Sequence, residues 1–311
     1  MNFSGWQWIR DPVTAIITAS LLFGIATPVL KILLVAVKPV LLVALLSAGA
    51  GCGILCWLVV HRQDLAFPTL QRRDRYWLLG TVMIGGLVAP LVQFISLSVT
   101  PAATASLLLN FEIVSTVFFA YLMFHEPFDR KTGVALIAVL CGSILVSSNG
   151  SSSFDFSLGA GGIILSCFLW GLDNNLMGHI SGLSPELIVV VKALSGGSIA
   201  LLLVLLFNDP FPGWIFIVGA LTVGFLSFGV GLVLFISALR AMGAARASVV
   251  YATAPFIGCV ASLILFVDPL PARFWLAFPF FIIGALIIVN AQWKRKQGEN
   301  HLYRIIESSE R

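Results

Sequence analysis

The stretch that decides the fold of this chain is PVLLVALLSAGAGCGILCWLVV, residues 39–60, which contains no charged side chain. At a rise of 1.5 Å per residue, about 20 helical residues reach across the roughly 30 Å hydrocarbon layer of a bilayer. The other structure that can span lipid is a closed β-barrel, whose strands would be about ten residues long with alternating polarity. Residues 39–60 therefore predict a membrane-spanning helix.

The rest of the sequence has the same character. Of its 311 residues, 59% are hydrophobic and 10% are charged, and the mean hydropathy is +1.02. In soluble proteins about a quarter of the residues are charged. We therefore predict an all-α, polytopic membrane protein that contacts the lipid bilayer along most of its length. The ten predicted spans are residues 12–37, 39–60, 76–98, 101–124, 131–148, 157–178, 185–207, 212–238, 245–267 and 273–292.

The distribution of the basic residues predicts the orientation of the chain. With the N-terminus in the cytoplasm, the predicted outside loops hold only Lys38 and Arg273. Because basic residues concentrate in cytoplasmic loops, we expect an even number of spans and both termini in the cytoplasm, in the plasma (inner) membrane. These residues mark topology, and we expect no binding of nucleic acid. The predicted inside segments hold Arg10, Arg62, Arg72, Arg73, Arg75, Arg130, Lys131, Arg240, Arg246, Lys294, Arg295, Lys296, Arg304 and Arg311.

The two halves of the chain resemble each other on either side of the serine-rich segment 147–157. With five spans in each half, the second copy is inserted upside down, and such inverted repeats are typical of secondary transporters. We predict a first five-helix repeat at 1–148, an extracytoplasmic linker at 149–156, a second five-helix repeat at 157–292 and a cytoplasmic tail at 293–311. The matches are Phe94-Ile95-Ser96 with Phe235-Ile236-Ser237 at an offset of 141; Ala105-Ser106 with Ala247-Ser248, and Phe124, Glu126 and Pro127 with Phe266, Asp268 and Pro269, at 142; Pro39 with Pro185 at 146; and Phe23-Gly24 with Trp170-Gly171 at 147.

Several short motifs accompany this duplication. They are Thr104-Ala105-Ser106, His125-Glu126-Pro127, Trp170-Gly171-Leu172-Asp173-Asn174-Asn175, and Ser184-Pro185 followed by Lys192. With ten helices in two halves, the chain resembles the drug/metabolite transporter superfamily, EamA-type branch, over nearly its whole length. It departs from the pattern in the first half, where Leu46 stands at the position of Lys192. The resemblance implies export or exchange of amino acids, metabolites or nucleotide sugars.

Four ionisable residues, Lys31, Glu112, Asp173 and Lys192, lie inside the predicted spans. In hydrocarbon each costs roughly 2.5–3.5 kcal/mol, so intramembrane charges point to function. Glu112 lies about eleven residues, or about 16 Å, from either end of its span. It cannot reach an interface and must be protonated, paired or in a hydrated cavity. Such a carboxyl favours proton coupling, and the alternative is a neutral side chain that hydrogen-bonds a neighbouring helix.

Further polar and aromatic residues surround these charges in the predicted site. Asp173, Lys192 and Lys31 lie nearer to span ends, so each either lines a cavity or reaches an interface. Lys192 would be the cation partner of Asp173, of Glu112 or of a substrate carboxylate. Pro28, next to Thr27, leaves a backbone carbonyl without its helical donor, as cavity-lining breaks do. The predicted substrate- or proton-binding residues are Glu112, Lys192, Asp173, Asn174, Trp170, Asn110, Gln93, Tyr251 and Thr27.

The leading interpretation is a secondary active transporter that works by alternating access and is coupled to protons. Its small-molecule substrate would be a polar or zwitterionic metabolite such as an amino acid, which it exports or exchanges. No Gly-rich loop followed by Lys-Ser/Thr occurs, so the sequence does not indicate ATP-driven transport. Whether the chain acts alone or as a homo-oligomer is left open.

The alternative from another class is a membrane-embedded enzyme that acts on a lipid-linked substrate. It would need a nucleophile, a base or a metal cluster gathered at one interface. The four histidines, at 61, 125, 179 and 301, are scattered along the chain, so we expect no enzyme activity, metal or other cofactor. A channel or a non-transporting sensor is a further alternative.

Overall fold

Helices form the architecture, and the described part of the chain contains no β-strand. The protein is represented by a computed structural model that describes residues 11–62, 70–124, 130–147, 157–180, 183–242, 251, 253–266, 272, 274–284 and 286–287. Its helices are α1 (Pro12–Leu33), α2 (Pro39–Val60), α3 (Arg72–Ser98), α4 (Ala102–Met123), α5 (Arg130–Ser147), α6 (Leu158–His179), α7 (Pro185–Leu206), α8 (Trp214–Ala241), α9 (Ala254–Leu265) and α10 (Phe274–Gly284).

Within the described residues, six helices are long and apolar enough to cross a membrane: α1, α2, α3, α4, α7 and α8. The helices α9 and α10 are apolar but shorter. Large apolar side chains such as Leu79 and Leu202 are exposed on the outer surface, whereas Leu41 and Phe94 are fully buried. An apolar exterior around an apolar core suits helices whose solvent is lipid. The all-helical fold is confirmed, and the count of ten crossings and the inside–outside orientation stay predictions.

The first eight helices agree with the predicted spans to within a few residues, with two larger differences. The predicted start of the ninth span at 245 and the predicted end of the tenth at 292 lie outside the described residues. Helix α1 ends at Leu33 and not at residue 37, because Pro39 opens α2 and forces Lys38 into an extended conformation. Helix α3 starts at Arg72, four residues before the predicted span, because a charged first turn can be helical outside the membrane. The predicted linker 149–156 and tail 293–311 lie outside the described residues.

Two helices widen into π-helical segments, Ile84–Val88 in α3 and Gly224–Gly231 in α8. Pro90 has no N–H, and its ring would crowd the carbonyl of Gly86 four residues earlier, so the wider turn relieves the clash in α3. Helix α8 has no proline in this place, and its segment begins and ends on glycine. Such segments are rare and often lie at functional positions.

Helix α4 is interrupted by a turn at Leu109–Asn110. Around this turn, the N–H of Asn110 bonds to the carbonyl of Leu107 at 3.1 Å, and the N–H of Glu112 bonds to that of Leu109 at 3.0 Å. These bonds reach back three residues, which is the tighter 3₁₀ pattern. The sequence predicted an unbroken helix here. Glu112 instead lies in the first turn of the second segment of α4.

Most of the helix pairs join one helix of the first half to one helix of the second. Helix α2 packs along α7, α1 packs against α9 and α8, and α6 packs against α4 and α3. Gly24 of α1 closely approaches Ile257 of α9, and Gly171 of α6 closely approaches Ser115 of α4. Residues 24 and 171 differ by 147, and residues 115 and 257 differ by 142, which are the offsets of the sequence matches. A side chain at either glycine would overlap its neighbour, as in other close helix contacts in membranes.

Candidate functional site

A cavity of about 1210 Å³, its mouth included, lies where helices of both halves meet. Residues of α1, α2, α3, α4, α6, α7, α8 and the first turn of α9 line it. Its charged and amide-bearing lining residues are Gln93, Glu112, Asn174 and Lys192. A concave, mostly apolar site with a few convergent polar groups is the usual form of a small-molecule site.

An ion pair between Lys192 of α7 and Asp173 of α6 lies beside the cavity. The Asp173 side chain is fully buried and that of Lys192 is 5% exposed. Thr81 of α3 donates its hydroxyl to the other carboxylate oxygen, and Lys192 Nζ lies 3.6 Å from Met177 Sδ. Buried charges need a partner and further hydrogen bonds to be tolerated. This arrangement therefore ties α3, α6 and α7 together.

Two glycines in the π-helical segment of α3 allow this close approach. A Cβ on Gly85 would overlap the Asp173 carboxylate, and a Cβ on Gly86 would lie 2.9 Å from the Lys192 carbonyl oxygen. Gly196, one turn after Lys192, packs on the backbone of Gly86 in return. Small residues of this kind let membrane helices meet backbone to backbone.

Glu112 lies on the α4 side of the cavity and contacts α6. Asn174 donates from Nδ2 to Glu112 Oε1 at 2.9 Å and lies 3.3 Å from Thr116 Oγ1. Asn175 donates to the Thr116 carbonyl at 2.9 Å and so fixes the next turn of α4. Glu112 Oε2 accepts no hydrogen bond from any residue that the structure describes. One carboxylate oxygen is therefore left for a donor in the cavity.

Trp170 of α6 connects the polar residues of three helices. Its indole N–H donates to Gln93 Oε1 of α3 at 2.7 Å, which orients the amide. Lys192 Nζ lies 5.2 Å from the centroid of the Trp170 ring. A cation over an indole face is stabilised by the ring quadrupole. Trp170 therefore positions both Gln93 and Lys192.

An aromatic cluster forms another part of the lining. The Tyr251 ring lies 4.6 Å from that of Phe235 and 5.8 Å from that of Phe23, and the rings of Phe23 and Phe228 are 6.1 Å apart. All four residues line the cavity. Centroid distances of about 4.5–7 Å with edge-to-face or tilted geometry are favourable for aromatic pairs.

The structure brings most of the predicted site residues together. Asp173 does not line the cavity and is buried as the partner of Lys192. Asn110 does not line it either: its Nδ2 donates to the Leu107 carbonyl at 2.9 Å, and its buried Oδ1 has no hydrogen-bond partner among the described residues. That these residues bind substrate or protons stays a prediction. The seven that line the cavity are Thr27, Gln93, Glu112, Trp170, Asn174, Lys192 and Tyr251.

Lys31 has a different position from the other intramembrane charges. Its Nζ donates to the carbonyls of Leu97 and Ser98, at 2.7 and 2.8 Å, at the end of α3. The last carbonyls of a helix have no intrahelical donor and carry the negative end of its dipole, so a lysine stabilises them. Of the three charges that the sequence left between cavity and interface, Lys192 alone lines the cavity.

Two contributors to the site were not predicted. Thr81 was missed because no pattern in the sequence indicates that α3 approaches α6, although Thr81 lies one turn before the glycine pair 85–86. Met177 was missed as one apolar residue among many, although it follows Asp173 by four positions and so shares its helix face. Both touch the ion pair.

The composition of the site suits the binding of a small molecule. It offers carboxylates, a lysine, amides and aromatic faces, and the described residues contain no group of three or more His, Cys, Asp or Glu that could hold a metal. Apolar helices long enough to cross a bilayer surround an internal cavity that carries a few polar groups. Fold and site together define a helical membrane protein with an internal cavity that could hold a small molecule.

Comparison with known proteins gives the family. The EamA-like transporter family matches residues 12–148 and again residues 157–290. An uncharacterized transporter of Methanothermobacter thermautotrophicus is 26% identical over 273 residues, which are 82% of this chain and 79% of that protein. A solved structure described only as the crystal structure of a protein has a TM-score of 0.61 and 17% identity, over 91% of this chain and 97% of its own, a likeness of fold alone.

The chain belongs to the EamA-like transporter family. The resemblance drawn from its motifs is confirmed, and so is its assignment as a transporter and an integral, multi-pass membrane protein. His125-Glu126-Pro127, one of those motifs, lies outside the described residues.

Proposed function

We propose that this protein is a secondary active transporter that exports or exchanges a small polar or zwitterionic metabolite such as an amino acid. Transport is coupled to protons and proceeds by alternating access, with both termini in the cytoplasm. One observation carries the proposal: Glu112, Asn174 and Lys192, from three different helices, converge on a single cavity between the two halves. Charges inside spans mark substrate and proton pathways in transporters.

Two equivalent backbone contacts between the halves support alternating access. The Lys192 carbonyl of α7 abuts Gly86 in the π-helical segment of α3, and the Leu46 carbonyl of α2 abuts Gly224 in that of α8. Transporters built from inverted repeats bind substrate where the repeats meet and rock one repeat against the other. Two equivalent sliding contacts, one on each side of the cavity, suit such a movement.

The position of Glu112 supports proton coupling. It contacts the cavity, it is held on one side by Asn174, and its Oε2 is available for a proton or a substrate donor. A carboxyl that meets water from each side of the membrane in turn can take up a proton on one side and release it on the other. Asp173 is less suited to this role because Lys192 and Thr81 both bind it.

Uptake into proteoliposomes tests the proposal. The purified chain is assayed with a panel of amino acids and small metabolites, with and without a pH gradient. At least one solute is expected to accumulate when the gradient is imposed. Glu112→Gln keeps the size and an acceptor oxygen but cannot release a proton, so exchange at saturating substrate persists whereas gradient-driven accumulation is lost.

The matched control is Glu186→Gln, which neutralises a carboxylate in the first turn of α7, outside the cavity lining. It is expected to transport like the parent protein. Full accumulation by Glu112→Gln would show that Glu112 is not the coupling group. Uptake that ignores the gradient in the parent protein would leave facilitated exchange as the mechanism.

A further inference from the structure

The charged groups at the cavity differ in how accessible they are to a substrate, because two of them already form an ion pair with each other. Among the described residues, two carboxylates, Glu112 and Asp173, and one ammonium group, Lys192, lie at or beside the cavity. Lys192 and Asp173 neutralise each other, and both are almost wholly buried. The lysine is further held by the Trp170 ring and by the Met177 sulfur. A substrate carboxylate would have to separate this pair and leave Asp173 uncompensated, which is strongly unfavourable in a buried place.

Glu112 is in the opposite situation. Asn174 binds one of its carboxylate oxygens, and the other has no donor among the described residues. No lysine or arginine of the described chain forms an ion pair with it. An ammonium group supplies both the missing donors and the missing charge, and charge-assisted hydrogen bonds are about twice as strong as neutral ones.

The remaining lining favours an apolar body that carries this ammonium group. Phe23, Phe228, Phe235 and Tyr251 form one continuous aromatic cluster on the cavity, and Phe94 extends it, with its ring 6.3 Å from that of Phe228. Aromatic faces attract cations as well as apolar groups. A solute with a flat or bulky apolar body and one amine would use both features.

We infer that the cavity selects a monocationic amine with an aromatic or bulky apolar body over the zwitterion or anion of the same shape. The inference rests on the proposed transport by alternating access, and it replaces the zwitterion given there as the example of a substrate with a cationic amine. Glu112 binds the ammonium group, Asn174 holds the carboxylate in place, and the aromatic cluster contacts the body. Lys192 is neutralised by Asp173, so a carboxylate on the substrate finds no available cation.

Three probes of one shape and different charge test this inference. They are 2-phenylethylamine, phenylalanine and 3-phenylpropionate, which at neutral pH are a cation, a zwitterion and an anion around the same ring. Equilibrium binding to the purified full chain in detergent is measured for each. The amine is expected to bind about tenfold more tightly than phenylalanine or better, which corresponds to about 1.4 kcal/mol, and the anion is expected to bind most weakly.

Variants locate the preference. Glu112→Gln is expected to weaken amine binding about tenfold or more and to leave the affinity for 3-phenylpropionate unchanged or higher. Glu112→Asp keeps the charge and should keep the order of the three probes, and Glu186→Gln should bind like the parent protein. Thermal unfolding of each variant shows that it is folded.

Several results would overturn the inference. Binding of phenylalanine or of 3-phenylpropionate as tight as that of the amine would do so, and so would binding of none of the three by folded protein. These failures are separate from failure of the proposed function, which is judged by uptake of the wider panel into proteoliposomes. A chain that accumulates a zwitterion and ignores the amine would still be a transporter with a different selectivity.

Discussion

The two sides of the cavity have the same backbone plan and opposite chemistry. When the sequence offsets are applied, four residues of the polar side correspond to apolar residues of the other half that line the cavity. The pairs are Trp170 and Phe23, Asp173 and Ala26, Lys192 and Leu46, and Glu112 and Ala254. Asn174 differs, because its counterpart is the polar Thr27, which also lines the cavity.

The difference separates what the fold requires from what the solute requires. The close contacts occur on both sides, since Lys192 and Leu46 each place a carbonyl against a glycine of a π-helical segment, Gly86 and Gly224. Packing of this kind depends on backbone shape and small residues, so both halves retain it. The charges occur on one side alone. A bound solute would therefore meet one charged and one uncharged wall, which fixes its orientation.

The largest effect on stability is expected when the charge of Lys192 is removed. Lys192→Met leaves Asp173 buried without its partner, and losing one member of a buried ion pair costs about 3–5 kcal/mol. The counterpart change, Leu46→Met, conserves volume and is expected to cost less than about 1.5 kcal/mol. The free energy of unfolding of the two variants, from denaturant titration in detergent, checks the contrast.

A double variant shows whether this loss comes from pairing. In Lys192→Met with Asp173→Asn no charge is left unpaired, so the combined loss should be smaller than the sum of the single losses. Purely additive losses would mean that the two residues do not act as a pair.

The next effect concerns the glycines that let α3 reach the ion pair. Gly85→Ala would press a methyl group into the Asp173 carboxylate, and overpacking of this kind typically costs about 1–3 kcal/mol. Gly219→Ala in α8 is the control, since its added methyl group meets only the end of the Leu33 side chain, at 3.3 Å. The measurement is the midpoint of thermal unfolding in detergent. Equal midpoints for the two variants would contradict the close contact.

The fold could largely be predicted because hydrophobicity in a membrane protein is a long-range and nearly one-dimensional signal. Residues 39–60, for example, have the same bounds in the sequence prediction and in the structure. The breaks were not predicted, because they depend on neighbours. The turn at Leu109–Asn110 and the π-helical segment Gly224–Gly231 contain no proline that would mark them.

The sequence predicted most residues of the site but not the contacts between them. An isolated charge in an apolar span can be recognised from composition alone, and this identified Glu112 and Lys192. Which charge pairs with which depends on the packing of α3, α6 and α7. The sequence left Asp173, Glu112 and a substrate carboxylate open as partners of Lys192. Lys31 shows the limit of recognising a site from composition. It too is an isolated charge in an apolar span, but it binds the C-terminal carbonyls of α3 and does not line the cavity.

A smaller effect is expected from converting Trp170 into its counterpart. Trp170→Phe removes the N–H that Gln93 accepts at 2.7 Å, and a hydrogen bond contributes about 0.5–1.5 kcal/mol net. The first half has Phe23 in this place, and the second half has Leu234 at the offset of Gln93. Trp170→Phe together with Gln93→Leu should therefore destabilise less than the sum of the single changes. Additive effects in unfolding titrations would argue against the bond.

The smallest effect distinguishes the caps of α1 and α6, the first helices of the two halves. Asp11 accepts hydrogen bonds from the Thr14 hydroxyl at 2.9 Å and from the N–H groups of Thr14 and Val13 at 3.1 and 3.3 Å, which hold its pKa below the ordinary value of 3.8. A carboxylate whose pKa is lowered by folding stabilises the protein fully above its ordinary pKa. This contribution is lost as the pH falls from the ordinary pKa through the lowered pKa of the folded state. Ser157 caps α6 through the Ala160 N–H at 3.4 Å and does not titrate.

Exchange of these caps therefore tests whether acid sensitivity at the helix start belongs to the first half. Asp11→Ser should be slightly less stable than the parent protein at neutral pH, and the difference should shrink when the pH is taken below the ordinary aspartate pKa of 3.8. Ser157→Asp should behave in the opposite sense and gain a stability contribution that acid removes. The measurement is thermal unfolding in detergent over a pH series. A gap between Asp11→Ser and the parent protein that stays constant down to low pH would mean that the Asp11 carboxylate does not cap α1, because only a titrating cap can lose its advantage in acid.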